Sequence, residues 1–419
     1  MGPILIFDKS ALQGLRLREA VLLNTLFLTN VTPLFYVETL ADLEKDDPTG
    51  RSPEEVVADL ASKTPVMHNQ ANVFHRTLLI DELLGRSRVD MSRRANLSGG
   101  RPKRAPDGKL GVLLKDAPEA NMLARWRQRS FNATERRQAN MWRSALATVD
   151  FDSRIALAQR LVPPTERVAT LEQAKAFADA FVRRPDRAVL SLALELLEIP
   201  QEHRAAILAR HADARHPSLR AYAPYAAYVL TVDLVLYLGM GLDQVQRDRA
   251  SHIVDIAYLY YLPFCMVFTS GDRLHRQLMP LVADLGQAFL WAPDLKADLA
   301  QLVAYCDEHA DELQRKGLIA FLSTPPAGMA NRITALWDQF LPSWRKRDDA
   351  PPPSAPLPED EHMQRIKHMT ESNDTLDEGE WTEDPDFVVM QSTIPVEVGG
   401  IRLVPEGIEH RKGGDAAGQ

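Results

Sequence analysis

The chain has 419 residues, 45% hydrophobic and 25% charged, which is the balance of a soluble globular protein holding one large or two ordinary domains. Its two cysteines are Cys265 and Cys306, and Cys265 sits inside an apolar run. A packed thiol is expected there rather than a disulfide or a ligand, in a reducing, cytoplasmic setting. The net charge of −8 is unevenly spread: residues 93–143 carry 13 Lys and Arg against 4 Asp and Glu, and residues 348–419 carry 5 against 17. Such asymmetry points to nucleic acid on the basic side and to a solvated tail on the acidic side.

The first apolar run, Ile4-Leu5-Ile6-Phe7, reads as a strand and ends in Asp8-Lys9-Ser10. It begins so early that no secretory signal is expected before it. A second run, Leu26-Phe27-Leu28, ends in Thr29-Asn30, and the short spacing predicts parallel pairing through a right-handed crossover. Thr32 followed by Pro33 is a hydroxyl cap with proline at the first helical position, so Glu38 lies about a turn and a half into a helix. Asp42 and Glu44 follow it and remain alternative acids. Ser52-Pro53-Glu54-Glu55 opens a further helix, and the pattern from Met67 to Leu84 predicts another.

Ser92 to Lys109 is basic and rich in glycine, serine and proline, and is expected to be a loop. Its candidate phosphate-contacting residues are Arg93, Arg94, Arg101, Lys103 and Arg104. Trp126, Phe131 and Trp142 alternate with arginines, a pattern that fits single-strand stacking but is met more often as core anchors under a basic face. From Asp152 to Arg249 apolar residues recur at helical spacing without a repeat of fixed period. Tyr222 to Leu242 is long enough to span a bilayer, but Asp233, Pro224 and the lack of a basic flank predict a buried helix and no membrane partner. Asp233 is then expected to be paired, or to be one more acid near a site.

Residues 251–281 combine an apolar helix carrying Asp255, a run from Phe264 to Phe268, the turn Thr269-Ser270-Gly271-Asp272 and an amphipathic helix. A strand apolar on both faces reads as the centre of a parallel sheet, which places Asp272 at the edge where open α/β sheets bind ligands. Gln287 to Ala292 predicts a fourth strand, Pro293 opens a helix running to about Lys316, and Met329 to Trp344 predicts a closing helix. The tail after Asp349 is acidic and proline-rich and is expected to be flexible and largely disordered. Its apolar runs Phe387–Met390 and Ile401–Val404 are candidate edge strands or segments for a protein partner.

An aspartate ending the first strand with a hydroxyl residue two on (Asp8, Ser10), a glutamate after the second strand (Glu38), an aspartate on a late helix (Asp255) and a strand ending in Thr269-Ser270-Gly271-Asp272 together resemble the PIN-domain ribonucleases. The resemblance covers residues 1–45 and 250–315. It implies an α/β fold with a three-layer PIN-like core, a parallel sheet of about four strands and a large, mostly helical insertion. The core is then split between residues 1–45 and 250–345, with the insertion at 46–249 and the tail at 346–419. It further implies a metal-dependent endoribonuclease with RNA as substrate, in which Asp8, Glu38, Asp255 and Asp272 hold Mg²⁺ or Mn²⁺.

The chemistry agrees with that residue set. Hard divalent cations take oxygen ligands, activate water and neutralise a phosphodiester, while crowded carboxylates without a cation repel and take up protons. Ser10, Thr269 and Ser270 are candidates to orient a carboxylate or a water, and Arg273 is a candidate phosphate contact. Lys9 departs from the family, where a small or hydroxyl residue is usual. A cation beside Asp8 either reaches a phosphate or replaces the metal. Two rival readings remain: a phosphohydrolase with Asp8 as nucleophile, weakened by Ser10 standing where a second aspartate is wanted, and a catalytically inactive PIN-like scaffold that binds RNA or a protein.

Overall fold

The computed structural model describes residues 2–45, 50–64, 72–91, 93–104, 110–114, 118–247, 249–284, 286–349, 388–395 and 404–410. The chain is mixed α/β, mostly helical, around a four-stranded parallel sheet. It opens with β1 (Ile4–Phe7), α1 (Lys9–Gly14), α2 (Leu17–Leu26), β2 (Leu28–Thr29) and α3 (Pro33–Leu40), which runs into a 3₁₀ turn at Ala41–Glu44. Next come α4 (Pro53–Lys63), α5 (His75–Leu84), β3 (Arg93–Arg104) and β4 (Leu110–Leu114). Eight helices follow: α6 (Pro118–Arg127), α7 (Ala133–Ala147), α8 (Phe151–Leu161), α9 (Leu171–Val182), α10 (Arg187–Leu196), α11 (Gln201–Asp213), α12 (Leu219–Tyr222) and α13 (Pro224–Gly241). The second half of the sheet brings α14 (His252–Leu259), β5 (Val267–Ser270), α15 (Arg273–Val282), β6 (Ala288–Trp291), α16 (Ala292–Glu308), α17 (Ala310–Lys316), α18 (Leu318–Phe321) and α19 (Arg332–Phe340). Two tail strands, β7 (Val388–Pro395) and β8 (Val404–His410), complete the described elements.

The parallel sheet has the order β2-β1-β5-β6. Every side chain of β1 and β5 is buried, as expected of strands covered on both faces. Register sets Phe7 opposite Thr269, and the Asp8 amide donates to the Thr269 carbonyl at 3.2 Å, so residues far apart in the sequence become neighbours. The chain leaves β1 toward β2 on one side and returns through β5 and β6 on the other. The switch point therefore lies between β1 and β5, and Asp8 and Ser270 stand at their carboxyl ends.

Several boundaries differ from expectation, for identifiable reasons. Leu26 belongs to α2, and only Leu28–Thr29 pair as β2. Pro263 stands in the first positions of a 3₁₀ turn at Leu262–Phe264, and the strand expected from Phe264 to Phe268 runs instead from Val267 to Ser270. The helix expected to Lys316 is interrupted at His309, between α16 and α17, and the closing helix begins only after its Asn331 cap. Of the helix expected over 67–84, only His75–Leu84 forms within the described residues.

The basic stretch expected as a loop contributes β3, because partner strands on both sides supply the ladder that its glycines and proline argue against. β3 pairs antiparallel with β4 and with β7, and β7 pairs with β8, forming a second sheet of order β4-β3-β7-β8.

Helix α13 is the one described helix long and apolar enough to cross a membrane, and 83% of it is buried inside the protein. Its N-terminus is answered by Glu82 of α5, whose carboxylate accepts from the Tyr225 and Ala226 amides at 3.2 and 2.9 Å. Those two bonds satisfy donors that a helix start leaves orphaned. Burial outweighs them and pushes the Glu82 carboxyl up to about 7. Both cysteines are free and buried.

Candidate functional site: an acidic sheet edge and its own cations

Local caps aim the acids. Asp8 is the N-cap of α1 and accepts from the Ala11 amide at 2.8 Å. Thr32 caps α3 with Pro33 behind it, as its sequence predicts, which sets Glu38 on the turn that faces β1. Phe7 fixes that approach by meeting Phe35 edge to face at 5.2 Å. From α14, Tyr258 donates its hydroxyl to Glu38 Oε2 at 2.8 Å. Asp8, Glu38 and Asp255 lie close enough that the charges of Asp8 and Asp255 both act on Glu38. Burial is the main reason the Glu38 carboxyl is raised, Lys9 opposes the rise, and the neighbouring acids add to it.

Lys9 occupies the space between acids. Its Nζ is 3.0 Å from Asp42 Oδ1 and 3.3 Å from Glu38 Oε1, and the side chain is 12% exposed. Burial works against the ammonium, yet the charges of Glu38 and Asp42 outweigh it and raise its pKa. Asp42, on the 3₁₀ turn after α3, is thus a full member of the cluster.

A second internal cation comes from α15. Ser270 Oγ donates to Asp8 Oδ2 at 2.7 Å and stands 2.7 Å from His275 Nδ1, while His275 Nε2 meets the Asp255 carbonyl oxygen at 2.6 Å. A carbonyl only accepts, so Nε2 carries a proton. The single hydroxyl proton of Ser270 goes to the carboxylate, so Nδ1 must donate as well. Full satisfaction therefore makes His275 an imidazolium. Burial pulls its pKa down, but the hydrogen bond and charge of Asp8, with the charge of Asp255, lift it to about 9. The ring is fully buried, with Phe268 and Tyr258 edge-on at 5.1 and 6.2 Å.

Asp8 is further engaged by Ser10 Oγ, 2.9 and 2.7 Å from its two oxygens, and Ser10 accepts in turn from the Gly271 amide at 2.9 Å. A carboxylate offers about four acceptor positions, and Ser10, Ala11 and Ser270 occupy most of them. Asp272 reaches the same edge through its backbone, which donates to Ser270 Oγ at 2.9 Å. Its side chain turns to its own helix and caps α15 through the Leu274 amide at 2.7 Å. Asp255 is near His252, whose Nδ1 is 3.4 Å from its Oδ2. The Thr269 hydroxyl is buried without a partner, and Arg273 is exposed.

Of the residues singled out in the sequence, Asp8, Lys9, Ser10, Glu38, Asp255 and Ser270 come together, while Asp272 contributes backbone and a cap. Arg93, Arg94, Arg101, Lys103 and Arg104 lie on β3 of the second sheet. Tyr258 and His275 had no assigned role in the sequence. A polar residue on the core face of an amphipathic helix was the available signal for His275. Trp126 is fully buried and donates to Glu135, so it anchors α6 on α7. Among the described residues no group of three His, Cys, Asp or Glu side chains is arranged to hold a metal ion. The carboxylates instead meet the chain's own ammonium, imidazole and hydroxyl groups.

No family model matches the sequence, and neither a curated protein nor a solved structure matches it.

Proposed function

We propose that this chain is a PIN-like scaffold that binds RNA without cleaving it, its acidic site neutralised from within by Lys9 and His275. The observation that carries this reading is the Lys9 ammonium, 3.0 Å from Asp42 and 3.3 Å from Glu38, where a metal-dependent nuclease would place its cation. The donor set argues the same way: a divalent ion asks for several unengaged oxygens, and those of Asp8 and Glu38 already accept from Ser10, Ala11, Ser270, Tyr258 and Lys9. A three-layer PIN-like core is the reading of the fold that accords with the β2-β1-β5-β6 order and with an acidic edge at its switch point. RNA is the partner favoured by the excess of 13 basic over 4 acidic residues across 93–143.

The second reading is a Mg²⁺- or Mn²⁺-dependent endoribonuclease. It is favoured by the convergence of Asp8, Glu38 and Asp255 on one sheet edge, and it needs Lys9 to be displaced. Incubating the purified chain with mixed-sequence RNA, with Mn²⁺, Mg²⁺ or a chelator, separates the two. The scaffold reading expects salt-sensitive binding and intact RNA throughout. Metal-dependent cleavage lost in Asp8→Asn would establish the nuclease.

A further inference from the structure

A cavity of about 270 Å³, lined in part by Leu34 of α3 and by Ile253, Val254 and Ala257 of α14, contains none of the acidic-edge residues, and the proposed function does not use it. Its walls come from α3, α5, α7, α8, α10, α13 and α14, so it sits where the sheet meets the helical middle of the chain. Leu34, Leu79, Leu146, Val229 and Ile253 make most of it apolar. Phe74, 37% exposed, and exposed Ala145 place its mouth between the start of α5 and the end of α7.

Two aromatic residues on the wall keep buried ring nitrogens without a hydrogen-bond partner: Trp142 Nε1 and His75 Nδ1. Buried polar atoms are rarely left unanswered, and two on one cavity wall call for a ligand that answers both. The charged groups on the wall, by contrast, are already engaged, Arg76 by the Glu198 carbonyl oxygen at 2.6 Å. Arg154 pairs with Glu198 and donates to the Tyr237 hydroxyl at 2.9 Å, and Asp233 accepts from the Tyr260 hydroxyl. A charged ligand would have to compete with one of these contacts, whereas an uncharged one leaves them intact.

We infer that this cavity binds a small, uncharged, bicyclic heteroaromatic molecule that presents a hydrogen-bond acceptor to Trp142 and a polar ring atom to His75. Size supports a bicycle, since a buried apolar cavity of about 150 Å³ accommodates a single benzene ring. The tilted rings of His75 and Tyr260, their centroids 4.9 Å apart, supply aromatic contact on the same wall. This inference is independent of the RNA reading, because it uses none of the residues at the acidic edge.

The test is isothermal titration calorimetry of the full chain with 7-azaindole, benzamidine and benzoate as uncharged, cationic and anionic probes. The uncharged probe is expected to bind one-to-one with a Kd on the order of 10–100 μM, more tightly than either ion. Trp142→Phe keeps the ring and loses the N–H, and should weaken that probe about fivefold. Its melting temperature without probe should stay within about 2 °C of the parent. Leu146→Trp should fill the cavity and abolish binding. No heat with 7-azaindole up to about 1 mM overturns the inference whatever the variants do. Tighter binding of either ion, or unchanged binding in folded Trp142→Phe or folded Leu146→Trp, overturns it as well.

Discussion

The hydroxyl of Ser270 donates to Asp8 Oδ2 across 2.7 Å, joining residues 262 positions apart at the carboxyl ends of two adjacent strands. That bond shows how the first strand of the chain meets a strand from its second half. It also commits the Ser270 proton, and so leaves His275 Nδ1 to donate to the Ser270 oxygen.

A pH dependence of stability follows from His275. Its folded pKa of about 9 lies above the ordinary 6.5 of histidine, so its contribution is fully present below about pH 6.5 and is lost as pH rises through about 9. The amount is up to about 3 kcal/mol. Urea unfolding at about pH 6 and about pH 10 should show this loss in the parent chain and a smaller one in His275→Gln. Equal losses in the two proteins would contradict an imidazolium at this position.

Removing Lys9 should leave two partly buried carboxylates facing one another. Lys9→Met is expected to cost about 2–4 kcal/mol, because breaking a buried pair strands its charges. Lys9→Met combined with Asp42→Leu should recover part of that cost, since the stranded acid is removed with its partner. Chemical denaturation of the parent, single and double variants gives the coupling directly. A single variant as stable as the parent would mean that the ammonium is not balancing these acids.

Asp233 carries the opposite sign. Burial, offset in part by Tyr260 and Arg154, raises its carboxyl to about 7 from an ordinary 3.8. An acid with a raised folded pKa binds more protons when folded, so its contribution to stability falls as pH climbs from about 4 to about 7. Asp233→Asn keeps an acceptor for Tyr260 without the charge, and should gain roughly 1–3 kcal/mol over the parent at about pH 8. That advantage should shrink toward about pH 4. An advantage independent of pH would contradict a titrating Asp233.

Much of the sheet edge was legible because it is written locally. Asp8 and Asp272 sit at strand ends as helix caps, and Thr32-Pro33 announces the helix that carries Glu38. What could not be read depends on partners distant in the chain. Lys9 is an odd residue at a strand end until the 3₁₀ turn after α3 brings Asp42 to it. His275 is one polar position on an amphipathic helix until β1, β5 and α14 close around it. Asp272 is ambiguous for a related reason: a cap and a metal ligand call for the same residue at the same place, and in the structure its side chain accepts from the Leu274 amide. Strand β3 was missed because its pairing with β4 and β7 outweighs a composition typical of loops.

The most direct test of an internally neutralised site is isothermal titration of Mn²⁺ into the parent chain and into Lys9→Ala. The account predicts no binding to the parent and measurable binding to Lys9→Ala, where the departed ammonium leaves Glu38 and Asp42 for the ion. Saturable binding of Mn²⁺ to the parent, abolished by Asp8→Asn, would contradict it.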